Sequence, residues 1–146
     1  MTIIKQHPAG LCSAAQLDDF EGQARIRLPD TYRRWLLQNN GGRPDPKRIE
    51  FIENGIPTAS DVHWIYGLGK PDWADLSDAF ITFKARIPKG LIPVARDSGG
   101  NQYLIESPSG RILFWNHEVE DLEVSKMPVC ANSFEEFLAN LKARED

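Results

Sequence analysis

The chain is poor in the residues from which most chemical sites are built. Its 146 residues include only two cysteines and three histidines. Cys12 and Cys130 stand near opposite ends and form no C-x-x-C pair, which removes the usual thiolate zinc and redox patterns. His117-Glu118 has no second histidine at helical spacing and no thiolate nearby, so no metal site is expected. No apolar run approaches the ~20 residues that a membrane span needs. The opening "MTIIKQHPAG" lacks the basic-then-apolar pattern of a secretory signal. These absences predict a cytoplasmic protein in a reducing compartment, without membrane, metal or cofactor.

Internal repeats, low-complexity tracts and linkers are also missing. The length suits a single domain over 1–146, long enough to bury a sizeable core. Hydrophobic residues make up 41% and charged residues 26%, which predicts a globular chain rather than a disordered one. With a net charge of −4, direct nucleic-acid binding is not the default reading. Charge is uneven along the chain. Arg25, Arg27, Arg33, Arg34, Arg43, Lys47 and Arg48 are opposed in their stretch only by Asp30 and Asp45. Glu118, Glu120, Asp121, Glu123, Glu135 and Glu136 are opposed only by Lys126. Such runs are ordinarily solvated faces, and an acidic one can also steer a basic partner.

One cluster invites a chemical reading, Asp97-Ser98-Gly99-Gly100-Asn101. A phosphate loop would need its glycines to lead into a helix behind Lys-Ser or Lys-Thr. Here they lead into "NQYLIE", an apolar strand pattern. A nucleophile elbow needs G-x-S-x-G, and Arg96 stands where the first glycine belongs. Turn chemistry accounts for the cluster: Asp and Ser bond nearby backbone N–H groups, and glycines accept positive φ. It predicts a hairpin.

Periodicity orders the remaining elements. "SAAQLDDFEGQA" predicts a helix capped by Ser13, and "RLPDTYRRWLLQNNGG" predicts one ended by Asn39-Asn40-Gly41-Gly42. "KRIEFIE" alternates as a strand, and "VHWIYGLG" reads as a second strand or irregular edge. From Asp72, the spacing of Trp73, Leu76, Phe80, Phe83 and Ile87 predicts a helix capped by Asp72. "LIPVAR", "NQYLIES" and "RILFWNHE" follow with short links and predict an antiparallel meander. "DLEVSK" is a candidate edge strand. "SFEEFLANLKA" predicts a closing helix with Ser133 and Glu136 in a capping box. Helical stripes put Trp35, Trp73, Phe80, Phe83, Phe134 and Phe137 in the core, while Trp64, Tyr66 and Trp115 remain candidate partner anchors. The fold class is α+β, a central antiparallel sheet with helices packed on it.

Three segments, in order, carry a resemblance. "LPDTYRRWLLQNNGGRPDP", "GLIPVARDSGGNQYLIE" and "GRILFWNHE" resemble motif blocks of the SUKH superfamily, in its branch similar to the yeast cell-wall assembly regulator. Asn116 stands where that family often has Asp. The resemblance implies a non-enzymatic SUKH-like α+β domain with a protein partner. In bacteria, such proteins are similar to immunity proteins that bind and neutralise a cognate toxin domain, often a nuclease, in polymorphic or contact-dependent systems. The alternative it carries is a housekeeping scaffold or regulator with no toxin partner. The expected partner surface comprises Asp97, Ser98, Asn101, Trp115, Asn116, His117 and Glu118, with the acidic Glu120, Asp121 and Glu123.

Overall fold

The structure is a computed structural model, and it describes residues 1–119 and 123–143. In chain order its elements are β1 (Thr2–Lys5), α1 (Ala14–Ala24), α2 (Asp30–Asn39), β2 (Arg43–Asp45), β3 (Arg48–Glu53), β4 (Ile56–Asp61) and β5 (Trp64–Ile65). Then follow α3 (Leu76–Phe83), β6 (Leu91–Arg96), β7 (Gln102–Glu106), β8 (Ile112–Trp115), β9 (Val129–Ala131) and α4 (Phe134–Ala139). Strands β5 to β9 form an antiparallel sheet in sequence order, while β1–β2 and β3–β4 are separate two-stranded ladders. The α+β class and the meander β6–β7–β8 are as the sequence predicts.

Helix α1 starts where local chemistry directs. Ser13 and Gln16 close a reciprocal capping box at the head of α1: Gln16 N–H donates to Ser13 Oγ, and Ser13 N–H donates to Gln16 Oε1. α2 ends at Asn40 in the left-handed region, φ 51. The Asn40 side chain then bonds the carbonyls of Gly10 and Leu68 and the N–H of Leu68. The helix stop is thus also a clamp on two distant segments. Gly41 follows at φ +83, where an added Cβ would lie 2.4 Å from the Ile65 carbonyl oxygen, so only glycine lets this chain run against β5.

The sheet is buried on both faces. Ile92, Val94, Tyr103, Ile105, Ile112 and Phe114 belong to the main hydrophobic cluster beneath α1, α2 and α4. Their alternates Leu91, Leu104, Leu113 and Trp115 join Ile87 and Met127 in a second cluster on the opposite face. This double coverage explains the near-continuous apolar runs of β6, β7 and β8. Aromatic rings tie the layers together: Phe137 of α4 lies 5.3 Å from Tyr103, and Phe51 of β3 stacks on Phe114 at 4.7 Å.

Four expectations are corrected. The segment from Asp72 does not form one helix. Asp72–Ala74 is a 3₁₀ turn and α3 starts at Leu76, capped by Asp75 rather than Asp72. The cause is tertiary: Gly67 N–H donates to the Ala74 carbonyl, and Leu76 N–H donates to the Gly67 carbonyl, so these groups are taken by a neighbouring segment. Trp73 is consequently 49% exposed instead of in the core. "DLEVSK" gives no edge strand among its described residues, since Val124–Lys126 is a 3₁₀ turn. Pairing with β8 begins at Pro128, whose carbonyl accepts from Phe114 N–H, and β9 is the edge. α4 stops at Ala139, short of the predicted span, and Lys142 instead pairs with Arg48 at the start of β3. Finally Trp64, Tyr66 and Trp115 are all buried, so none offers an exposed anchor.

Candidate functional site

The hairpin between β6 and β7 is built around one carboxylate. Asp97 Oδ1 accepts from the N–H groups of Gly99 and Asn101, at 2.9 and 2.8 Å. Its Oδ2 accepts from Asn101 Nδ2 at 2.9 Å and from Ser60 Oγ of β4 at 2.8 Å. With four donors around it, Asp97 is 4% exposed and has no face left for a partner. Next to it Ser98 turns outward, and both its backbone N–H and its hydroxyl donate to the Asp61 carboxylate at the end of β4. Burial works against the charged form of Asp61, but the Ser98 hydroxyl and N–H, with Lys47, hold its carboxyl below the ordinary range. The turn is therefore laced to the β3–β4 hairpin by two side-chain pairs.

Asn101 carries the network to the end of β8. Because the Asp97 carboxylate only accepts, the Asn101 NH₂ must face it, and the Asn101 oxygen faces His117. That oxygen accepts from His117 N–H at 3.2 Å and lies 2.8 Å from His117 Nδ1, which places the proton on Nδ1. Gly100, at φ +89, runs alongside the imidazole. Arg86 donates to the His117 carbonyl and stands 5.0 Å from the Trp115 ring. Trp115 is fully buried, edged by Phe83 at 5.5 Å, and its indole N–H donates to the Val119 carbonyl at 3.2 Å. Its role in this geometry is to position the loop Asn116–Val119.

Beside that loop lies a cleft of 730 Å³, lined by Ile52, Glu53 and Asn54 from β3 and its turn, by Asn116 and Val119, and by the segment 125–129. Three exposed apolar side chains line it: Ile52 at 58%, Val129 at 43% and Val119 at 39%. Glu118 and Glu123 are exposed on either side in the chain, with Glu53 and Lys126 in the lining. Of the sequence-predicted set, Ser98, Asn101, Asn116, His117, Glu118 and Glu123 have surface exposure, whereas Asp97 and Trp115 are interior. Glu120 and Asp121 lie outside the described residues. Sequence reasoning did not single out Ile52, Val119 and Val129. The one available signal was Ile52, which alternates with the inward Ile49 and Phe51 and so points away from the core.

Neither cysteine is set up as a nucleophile. Burial raises the Cys12 thiol above its usual value and pushes the Cys130 thiol up to about 12, so both stay protonated at neutral pH. No helix among the described residues is long and apolar enough to cross a membrane.

Comparison with known proteins places this fold and these motifs in a group. Residues 11–140 match the sequence model of the SMI1 / KNR4 family (SUKH-1). The chain is also 30% identical over 141 residues to the SPbeta prophage-derived uncharacterized protein YokK of Bacillus subtilis (strain 168), covering 86% of this chain and 72% of that protein. The three motif segments, the meander they build and the extent of this match lead to one conclusion: the chain belongs to the SMI1 / KNR4 (SUKH-1) family.

Proposed function

We propose that this protein is an immunity protein that binds a cognate toxin domain in the cytoplasm and blocks it by covering its working surface. Members of its family are generally immunity proteins of toxin systems. The observation that carries the reading is the cleft at the end of β8, where Ile52, Val119 and Val129 are exposed together with Glu53 and Lys126 in the lining, and where the exposed Glu118 and Glu123 are close in sequence to lining residues. Isolated exposed apolar residues need no explanation, but a cluster of them around a concavity with a charged border has the anatomy of a protein interface. In the sequence, Glu120 and Asp121 stand between Val119 and Glu123. A basic partner surface would be attracted by these carboxylates, and the apolar residues would supply the desolvated centre.

In this mechanism, Trp115, Asp97 and Asn101 do not touch the toxin. They hold the Asn116–Val119 loop and the neighbouring turn in a preformed shape, which lowers the ordering cost of association. The experiment is a titration of the purified protein against the toxin domain encoded beside it, at increasing ionic strength. A one-to-one complex that weakens as salt rises supports the reading. Absence of a complex at low salt rejects it, and a salt-independent complex rejects the electrostatic part.

A further inference from the structure

A second concavity lies elsewhere on the molecule and shares no residue with the β8 cleft. It is a pocket of 430 Å³ bounded by the end of α1, the end of α3 and the turn into β6. Its apolar lining comes from Ile26, Phe80, Ile87 and Leu91. Phe80 belongs to the main hydrophobic cluster, and Ile87 and Leu91 belong to the second. The pocket therefore opens where the two cores meet. Three cations, Arg25, Lys84 and Lys89, also line it beside Ala24, Pro88 and Gly90, and among the described residues no carboxylate contributes to it. Among the described residues, none of the three forms a salt bridge.

The backbone at Arg25 adds an independent observation. Among the described residues, three non-glycine residues have positive φ, namely Arg25, Asn40 and Asn54. Asparagine visits this region readily, but an arginine there has a Cβ penalty and no short polar side chain to offset it. Arg25 caps α1 at φ 56 and ψ 36, a position where glycine is the usual occupant. Arg25 also borders the adjoining cleft that contains Asp18, Glu21 and Asp30. There Asp18 and Glu21 are already bonded to Arg33.

We propose that this pocket binds a small amphipathic anion, a single aliphatic chain ended by a carboxylate. The chain would lie on Ile26, Phe80, Ile87 and Leu91, and the head would meet Arg25, Lys84 and Lys89 at the mouth. The volume suits a small molecule, for which pockets run from roughly 300 to 1,000 Å³. An amphipathic helix would instead need a long groove with anchors at i, i+3, i+4 and i+7. The assignment stands independently of toxin binding.

Octanoate below its micelle concentration is the probe, titrated into the full chain while backbone amide resonances are followed by NMR. Saturable shifts are expected at Ala24–Ile26, Phe80, Ile87 and Leu91. Octanol, which has the chain without the charge, is expected to bind at least roughly tenfold more weakly, the loss typical of a charge-assisted contact. The double variant Lys84→Gln/Lys89→Gln should weaken octanoate by a similar factor and leave octanol unchanged. Arg25→Gly should weaken octanoate while keeping the melting midpoint equal or higher. Shifts that do not saturate or that fall elsewhere would overturn the proposal. So would octanol matching octanoate, or charge variants that bind octanoate normally. Perturbation of these residues by the toxin domain but not by octanoate would reassign the pocket to the protein interface and also overturn it.

Discussion

At the residue scale, Asp97 carries more of the architecture than any other polar group in the candidate region. Its carboxylate gathers donors from β4, from its own turn and from Asn101. Asp97→Ala leaves those donors without an acceptor in a buried place, and the expected cost is about 3 kcal/mol, read as a lower urea midpoint with an unchanged m-value. Asp61 adds a pH dependence. Its carboxyl is held low by Ser98 and Lys47 against the opposing effect of burial. A depressed folded value means that the contribution to stability is complete above the unfolded value and disappears as pH falls through the folded one. The stability difference between wild type and Ser98→Ala should be constant above about pH 5 and close as the pH drops below about 4, measured by urea denaturation across pH. The sequence made the turn legible through Asp, Ser and paired glycines, but not its ties to Ser60 and Asp61. Those residues sit in "IPTASD", where a proline and weak alternation hid strand β4. Trp115 was misplaced for a related reason. A strand end beside a polar turn reads as exposed, and it is the distant Phe83, Arg86, Ile87 and Met127 that cover it.

At the scale of elements, the pieces with strong local signals formed where periodicity put them, and those decided by distant partners did not. α2 has its stripe, its first-turn Asp30 and its left-handed stop within one short stretch. The region after Asp72 has an equally good stripe, yet Gly67 takes the backbone groups that an earlier helix start would need. β9 is three residues long with no alternation to read, and it is defined only by pairing with β8. The closing helix α4 is short and depends on tertiary packing rather than on its own propensity. Phe137 is fully buried and contacts both Tyr103 and Phe134. Phe137→Ala is expected to cost about 3–4 kcal/mol, visible as a fall in urea midpoint together with early exposure of Lys142 and its neighbours to hydrogen exchange.

At the scale of the whole molecule, one sheet joins both hydrophobic clusters, because successive residues of β6, β7 and β8 feed opposite faces. Neither cluster can come apart without exposing the strands of the other. Far-UV circular dichroism and tryptophan fluorescence should therefore report a single coincident urea transition, and two separated transitions would show that the clusters unfold independently. The same rigidity would serve the proposed binding at the β8 cleft, since a preformed surface loses little entropy on binding. The most direct test is calorimetric titration of the neighbouring toxin domain with the wild type and with Ile52→Lys and Val129→Lys, both at exposed lining positions. Each variant should keep its melting midpoint and bind at least roughly tenfold more weakly, as expected for a charge placed at the centre of a desolvated contact. Full wild-type affinity in both folded variants would contradict the placement of the toxin in this cleft.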